Sequence, residues 1–282
     1  MIQQSTARVL HAERLTGETA LLVLDAPGIA AAARPGQFLM VRCGDLPLRR
    51  PLSIHAADGG KIALLFRVIG SGTGLLSGTE VGGEVQLTGP LGNGYSLPDS
   101  DGRVMLIAGG MGIAPLYFLA ARLAEPRQAA LVYGARSGVE LYRAPGALRT
   151  LMPQVARVDG IETVVATDDG SAGVRGSALD VALPRLERAT HVYLCGPVGM
   201  CVAASGLVGE QGDITTQPPL SVCSPGARQR LVSAEVSLEV RMGCGVGACY
   251  SCSIATRSGR KKVCVDGPVF RFGDVCWEEV RT

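Results

Sequence analysis

Four cysteines near the C-terminus constrain this chain more than any other feature. Cys244, Cys249, Cys252 and Cys264 lie in MGCGVGACYSCSIATRSGRKKVC, spaced C-x4-C-x2-C and then, after eleven residues, C. Four thiolates are the usual ligand set of a [2Fe–2S] cluster, and C-x4-C-x2-C is the spacing of plant-type ferredoxins. Such a cluster has to be wrapped, because its sulfurs need backbone N–H donors from a loop with little side-chain bulk. Gly243, Gly245, Gly247 and Ala248 supply that loop, since glycine accepts positive φ and close backbone approach. Structural zinc is the competing reading. Zinc sites typically pair two short cysteine knuckles, and one such short pair stands here.

The other five of the nine cysteines are scattered, which argues for a metal site rather than a disulfide framework. MIQQSTARVL lacks the basic-then-apolar order of a signal peptide. No apolar run approaches the roughly 20 residues that cross a bilayer. A soluble, cytoplasmic protein is expected. With 282 residues, 47% of them hydrophobic and 18% charged, the chain can build two compact domains and a small appendage. A net charge of +2 and an aromatic content of 4% give no reason to expect nucleic acid or a membrane as partner.

The rhythm of the chain changes near residue 101. Before it, short apolar runs (Ala20–Leu24, Phe38–Val41, Leu52–Ala56, Ile62–Val68) alternate with Gly, Pro and Asp turns, as in a small antiparallel barrel. One short helix is expected near Gly74–Ser77. After it, VMLIAGG, ALVYGA, ETVVAT and HVYLC alternate with helical stretches, the pattern of a parallel sheet covered on both faces. The expected division is 1–100 barrel, 101–234 α/β unit ending in a long polar connection, and 235–282 cysteine segment. The fold class is α+β, multidomain.

Four further segments suit anionic cofactors. LRRPLSI (Leu48–Ile54) puts an arginine and a serine on one strand, where a guanidinium fork can grip a pyrophosphate. LLFRVIGSGTG leads a strand into a helix start whose amides favour an anion. AGGMGIAPL (Ala108–Leu116) and YLCGPVGM (Tyr193–Met200) place glycines at strand ends, where α/β sheets bind ligands. AGGMGIAPL is not the G-x-G-x-x-G fingerprint, because Pro115 stands at its third glycine. Cys195 suits either a nicotinamide pocket or a small buried hydrophobe.

The ordered set RPLS, GSGT, GGMGIAP, CGPVGM resembles the ferredoxin-reductase superfamily. With a C-terminal four-cysteine segment ending in VCVDGPVF, it is most similar to the electron-transfer subunits of dihydroorotate dehydrogenase B. It is also similar to the FAD/NAD subunits of cytoplasmic hydrogenases and of bifurcating ferredoxin:NADP reductases. The resemblance implies an NAD(H)-linked iron–sulfur flavoprotein. FAD would meet Arg50, Pro51, Leu52, Ser53, Leu65, Phe66, Arg67, Gly72 and Thr73. NAD(H) would meet Gly110, Gly112, Pro115, Cys195, Gly196 and Pro197, with Asp168 at the adenosine ribose. A surface turn explains Asp168 and Asp169 almost as well. No arginine cluster accompanies that segment, which favours NAD over NADP. The cluster would relay single electrons to or from an FMN-containing dehydrogenase subunit, in a heterotetramer serving pyrimidine biosynthesis. A zinc-bound, non-enzymatic scaffold or sensor is the alternative of another class.

Overall fold

The computed structural model describes residues 2–16, 18–98, 102–123, 128–206 and 233–280. The expected connection 209–234, with Cys223, falls almost wholly outside them.

The first unit comprises β1 (Gln3–Arg14), β2 (Thr19–Asp25), α1 (Pro27–Ala32), β3 (Phe38–Val41), β4 (Arg50–Asp58), β5 (Lys61–Arg67), α2 (Ser71–Ser77) and β6 (Glu84–Leu91). Its strands close into an antiparallel barrel in the order β1-β2-β5-β4-β3-β6. Alternation along β2 shows why it closes. Ala20, Leu22 and Leu24 turn inward to meet Val9, Ile62 and Leu64, whereas Leu21 and Val23 turn outward into a second apolar cluster. A strand buried on both faces reads as a continuous apolar run, as this one does.

The second unit comprises β7 (Val104–Gly109), α3 (Ile113–Arg122), β8 (Ala129–Ala135), α4 (Gly146–Leu151), β9 (Glu162–Thr167), β10 (Val174–Arg175), α5 (Ala178–Leu186), β11 (His191–Cys195), α6 (Val198–Ser205) and β12 (Ser233–Ser237). The cysteine segment adds β13 (Ser253–Thr256), β14 (Gly259–Lys262), α7 (Val263–Asp266) and β15 (Val269–Arg271). One seven-stranded sheet runs β10-β9-β8-β7-β11-β12-β15, parallel except that β15 pairs antiparallel with β12. The cysteine segment is therefore stitched into this sheet, while β13 and β14 form a separate hairpin.

What covers the barrel's outer face is α3. All nine residues Ile113–Ala121 are buried, and a helix apolar all round must have neighbours all round. Leu116, Leu119 and Ala120 share a cluster with Leu21, Val23, Ala63 and Leu65 of the barrel and with Leu106 and Leu131 of the sheet. Pro115 is tolerated because it sits in the first turn, where N–H groups lack intrahelical partners. At the far end Arg122 Nη2 donates to Ala57 O at 3.1 Å.

His55 of β4 locks this contact from the barrel side. It is fully buried, with Nδ1 3.1 Å from Ala114 O and Nε2 2.8 Å from the Tyr142 hydroxyl. Its ring stacks on Tyr117 with centroids 4.6 Å apart. Burial lowers its pKa from 6.5 to about 4, with the Ala114 carbonyl opposing. Between those values the unfolded chain holds a proton that the folded chain refuses, so stability falls as pH drops from 6.5 toward 4. The full span is worth roughly 3 kcal/mol. Urea unfolding at pH 7 and at pH 5 is expected to show about 2 kcal/mol of this loss in the wild type. His55→Gln should flatten it, and an equal pH slope in both would refute the assignment.

Candidate functional site

Cys244 and Cys249 lie on the loop after β12, Cys252 at the entry to β13, and Cys264 in α7. Cys252 and Cys264 are buried, whereas Cys249 is exposed. The loop's amides face the sulfurs. The N–H groups of Val246, Ala248 and Cys249 point at Cys244 Sγ from 3.5, 3.3 and 3.4 Å, and that of Gly247 at Cys264 Sγ from 3.2 Å. The thiols influence one another in two pairs, Cys244 with Cys249 and Cys252 with Cys264. The Ser251 hydroxyl, 3.1 Å from Cys249 Sγ, is the first cause holding that thiol down at about 6. Burial, then the neighbouring Cys252, push Cys264 up to about 12. Thiolates ringed by amide donors on a glycine loop are what an iron–sulfur cluster requires, so these residues fit one.

This loop also leans on the barrel. Gly245 has φ +72, and a Cβ there would overlap Met40 Cγ and stand 2.8 Å from Met40 Sδ. Met40 of β3 pairs in register with Pro51 of β4, and Phe38 with Ser53. The cysteine loop therefore lies one strand from RPLS. The turn GPLGNGY (Gly89–Tyr95) helps to hold it there. Asn93 Nδ2 donates to Val269 O at 2.7 Å, and Asn93 Oδ1 accepts from Val269 N at 3.0 Å.

The expected flavin residues gather at one end of the barrel. The Arg50 guanidinium rests on Gly72, where a Cβ would come within 2.8 Å of its Nε. Thr73 Oγ1 accepts from Ile69 N and Gly70 N at 3.0 and 3.3 Å, which shapes the start of α2. The buried Nε of Arg67 has no hydrogen-bond partner among the described residues, while its guanidinium pairs with the Glu140 carboxylate at 3.6 Å and with that of Glu18 at 4.0 Å. An orphaned buried donor of this kind fits a missing acceptor. Leu65 and Phe66 send their side chains into the two cores. A cofactor could meet only their backbone.

The expected nicotinamide residues also converge. Gly112 packs against the Cys195 carbonyl and Gly196 N, joining the turns after β7 and β11. Met200 lies over both turns, 2.8 Å from where a Gly109 Cβ would be. Pro197 caps α6, and Pro115 is buried within α3. Cys195 is fully buried at the end of β11, and burial pushes its thiol well up. Asp169 is spent on its own turn, accepting from Ser171 N and Oγ at 2.9 and 2.6 Å. Asp168 stands exposed at the end of β9.

Two residues beside this site carry no local sequence signal. Glu239, just past β12, interacts with Arg67 of the barrel and with Cys195 and Cys201 of the sheet. It opens to solvent, yet the protein walls around it desolvate the carboxyl enough to raise its pKa, with Arg67 opposing. The fold also brings Arg136 within electrostatic reach of Asp168, although Glu140 holds that guanidinium at 2.7 Å.

Residues 106–206 match the oxidoreductase NAD-binding domain family. Residues 239–276 match the iron–sulfur cluster binding domain of dihydroorotate dehydrogenase B. The electron transfer subunit of dihydroorotate dehydrogenase B (NAD(+)) from Desulforamulus reducens is 38% identical, over 96% of this chain and 98% of its own length. The corresponding subunit from Geobacillus thermodenitrificans is 34% identical, over 98% and 99%. The chain belongs to the dihydroorotate dehydrogenase B electron transfer subunit family. Among solved structures, an NADH-dependent reduced ferredoxin-NADP oxidoreductase superposes with a TM-score of 0.75 at 25% identity, covering 97% of this chain and 91% of that one. A Neisseria gonorrhoeae ferredoxin NADP+ reductase with bound FAD and NADP shares the fold, with a TM-score of 0.59 at 16% identity, over 83% and 99% of the two chains. As a family member this chain is an NAD-linked oxidoreductase subunit with an iron–sulfur binding region. No described helix is long and apolar enough to cross a membrane.

Proposed function

We propose that this chain is the electron transfer subunit of a cytoplasmic dihydroorotate dehydrogenase B, linking NAD(H), FAD and a [2Fe–2S] cluster to an FMN-containing partner in a heterotetramer. One observation carries this reading: the cysteine loop rests on Met40, whose cross-strand partner is Pro51 of the flavin strand. Flavin, when bound, exchanges two electrons as hydride with a nicotinamide and releases them singly. The protein's part is to hold the groups in place. Arg50, Arg67 and the Gly72–Thr73 turn would grip FAD, and backbone amides of Leu65–Arg67 would flank its ring. Gly110, Gly112, Gly196 and Pro197 would let the dinucleotide approach the strand ends, with Cys195 and Asp168 beside it. Cys244 and Cys249 would bind one iron and Cys252 and Cys264 the other, each pair as the fold brings it together. Val246, Tyr250 and Val265 are exposed around the cysteine loop, an apolar collar suited to a partner subunit.

The likeness to the NADH-dependent reduced ferredoxin-NADP oxidoreductase favours a second reading, a subunit of a bifurcating transhydrogenase. Affinity purification of the chain without oxygen separates the two. An FMN-containing dehydrogenase that oxidises dihydroorotate should accompany it. NADH should bleach the flavin and reduce an iron–sulfur centre visible by electron paramagnetic resonance. A large glutamate-synthase-like flavoprotein in its place would support the second reading, and a colourless, zinc-loaded chain would refute both.

A further inference from the structure

The crossover from β8 to β9 is unusually thin. A six-residue α4 and the 3-10 turns Pro153–Gly160 stand where a full helix would ordinarily cover the sheet. Beneath it lies a cavity of about 620 Å³, within the range of about 300–1,000 Å³ that small-molecule sites occupy. Leu131 and Val165 contribute to its floor and Tyr117, Tyr133 and Tyr142 to its walls, with Arg143 at the rim. None of the residues assigned above to FAD, NAD(H) or the cluster lines it.

Two features distinguish this cavity from a packing gap. Tyr117 is 6% exposed as a residue, and its hydroxyl, without a hydrogen-bond partner among the described residues, keeps access to solvent rather than being sealed in the core. The neighbouring phenols are satisfied: Tyr142 OH meets His55 Nε2 at 2.8 Å, and Tyr133 OH accepts from Tyr142 N at 3.0 Å. A hydroxyl left without a protein partner is free to donate to a molecule that enters. Burial pushes the Tyr117 phenol up to about 12, so near neutral pH it remains a donor. The second feature is charge. Arg149 is committed to Asp159 through two contacts, one of them 2.9 Å. Arg143, on the same rim, has no carboxylate partner among the described residues.

The walls specify shape. Tyr117 and Tyr142 stand at 88° with centroids 5.6 Å apart, so an entering ring can stack on one and meet the edge of the other. We propose that this cavity binds a small planar aromatic acid, its ring held among the three tyrosines, its polar edge by the Tyr117 hydroxyl and its acidic group by Arg143. The acidic group is a carboxylate or a phosphate ester, because a guanidinium fork grips either.

The test is ligand-observed saturation-transfer NMR on the flavin- and cluster-loaded protein, with the dinucleotide site filled by NAD+. The probes are benzoate, phenyl phosphate and the uncharged benzamide. One or both anions should saturate with a Kd of about 1 mM or tighter, and whichever binds better identifies the head group. Arg143→Gln should weaken that binding about tenfold or more, and Tyr117→Phe by roughly two- to tenfold. Both variants should keep NADH-dependent flavin reduction. The proposal is overturned if neither anion saturates, if benzamide binds as well, or if both variants bind as the wild type does.

Discussion

Purified without oxygen beside the wild-type chain, the Cys249→Ser variant is expected to lose most of its iron and acid-labile sulfide while NADH still bleaches its flavin. Cys249 is the exposed member of its thiol pair, and Ser251 already holds its thiol near 6, in the range where a thiolate ligand forms readily. A serine hydroxyl at that position is a hard, poorly ionised donor, unsuited to a soft thiolate site. Altering partners one shell further out typically costs about 10–100-fold in metal affinity, and removing a ligand costs more. The flavin residues sit on β4, β5 and α2, and the loop reaches the barrel through Gly245 and Met40 rather than through Cys249. Electron delivery to the partner should therefore collapse while the hydride half-reaction survives. Full iron and sulfide content in the variant would remove Cys249 from the ligand set.

Gly112→Ala is expected to damage the nicotinamide half alone. The backbone there is ordinary, with φ −59, so a side chain brings no torsional strain. The obstacle is space. A Cβ would overlap the Cys195 carbonyl and stand 2.7 Å from Gly196 N. Both neighbours are backbone at the end of β11, which is fixed between β7 and β12, so neither can rotate aside. The start of α3 must shift instead, at about 1–3 kcal/mol of stability, and the two glycine turns move apart. Thermal unfolding should show the loss, and NADH titration a KM raised more than about tenfold, with iron and flavin contents unchanged. Gly110→Ala is the contrast: φ there is +53 with open space around it, so its cost of roughly 1 kcal/mol is torsional. Wild-type KM and unfolding temperature in Gly112→Ala would show that the two turns are not held by this contact.

Much of this architecture is legible in the sequence because its signals are local. Apolar runs between Gly and Pro turns mark β2 to β5, and strand–helix alternation marks the sheet from β7 to α6. The expected helix Gly74–Ser77 begins three residues earlier, at Ser71, because Thr73 turns back to its own Gly70. The cysteine spacing needs nothing beyond its own loop. What sequence hides is pairing at long range. Nothing local in SAEVS or VFR says that β12 and β15 extend the second sheet, so the expected boundary at residue 235 cuts through β12. Glu239 and Arg136 approach the site through tertiary folding, and neither belongs to a spaced motif. From the sequence IAPLYFLAA reads only as a helical stretch, and its enclosure on all sides emerges with the fold.

That enclosure bears on how such a chain can be recombined with its relatives. Because α3 fills the space between barrel and sheet, the expected boundary between residues 100 and 101 does not divide the interior. A hybrid joining this barrel to a relative's second half would inherit a foreign helix against Leu21, Val23, Ala63 and Leu65. Its success would be decided by the fit of those side chains, however well the linker was matched. Transplanting α3 together with the barrel keeps that contact and moves the foreign fit to the sheet side, at Leu106 and Leu131.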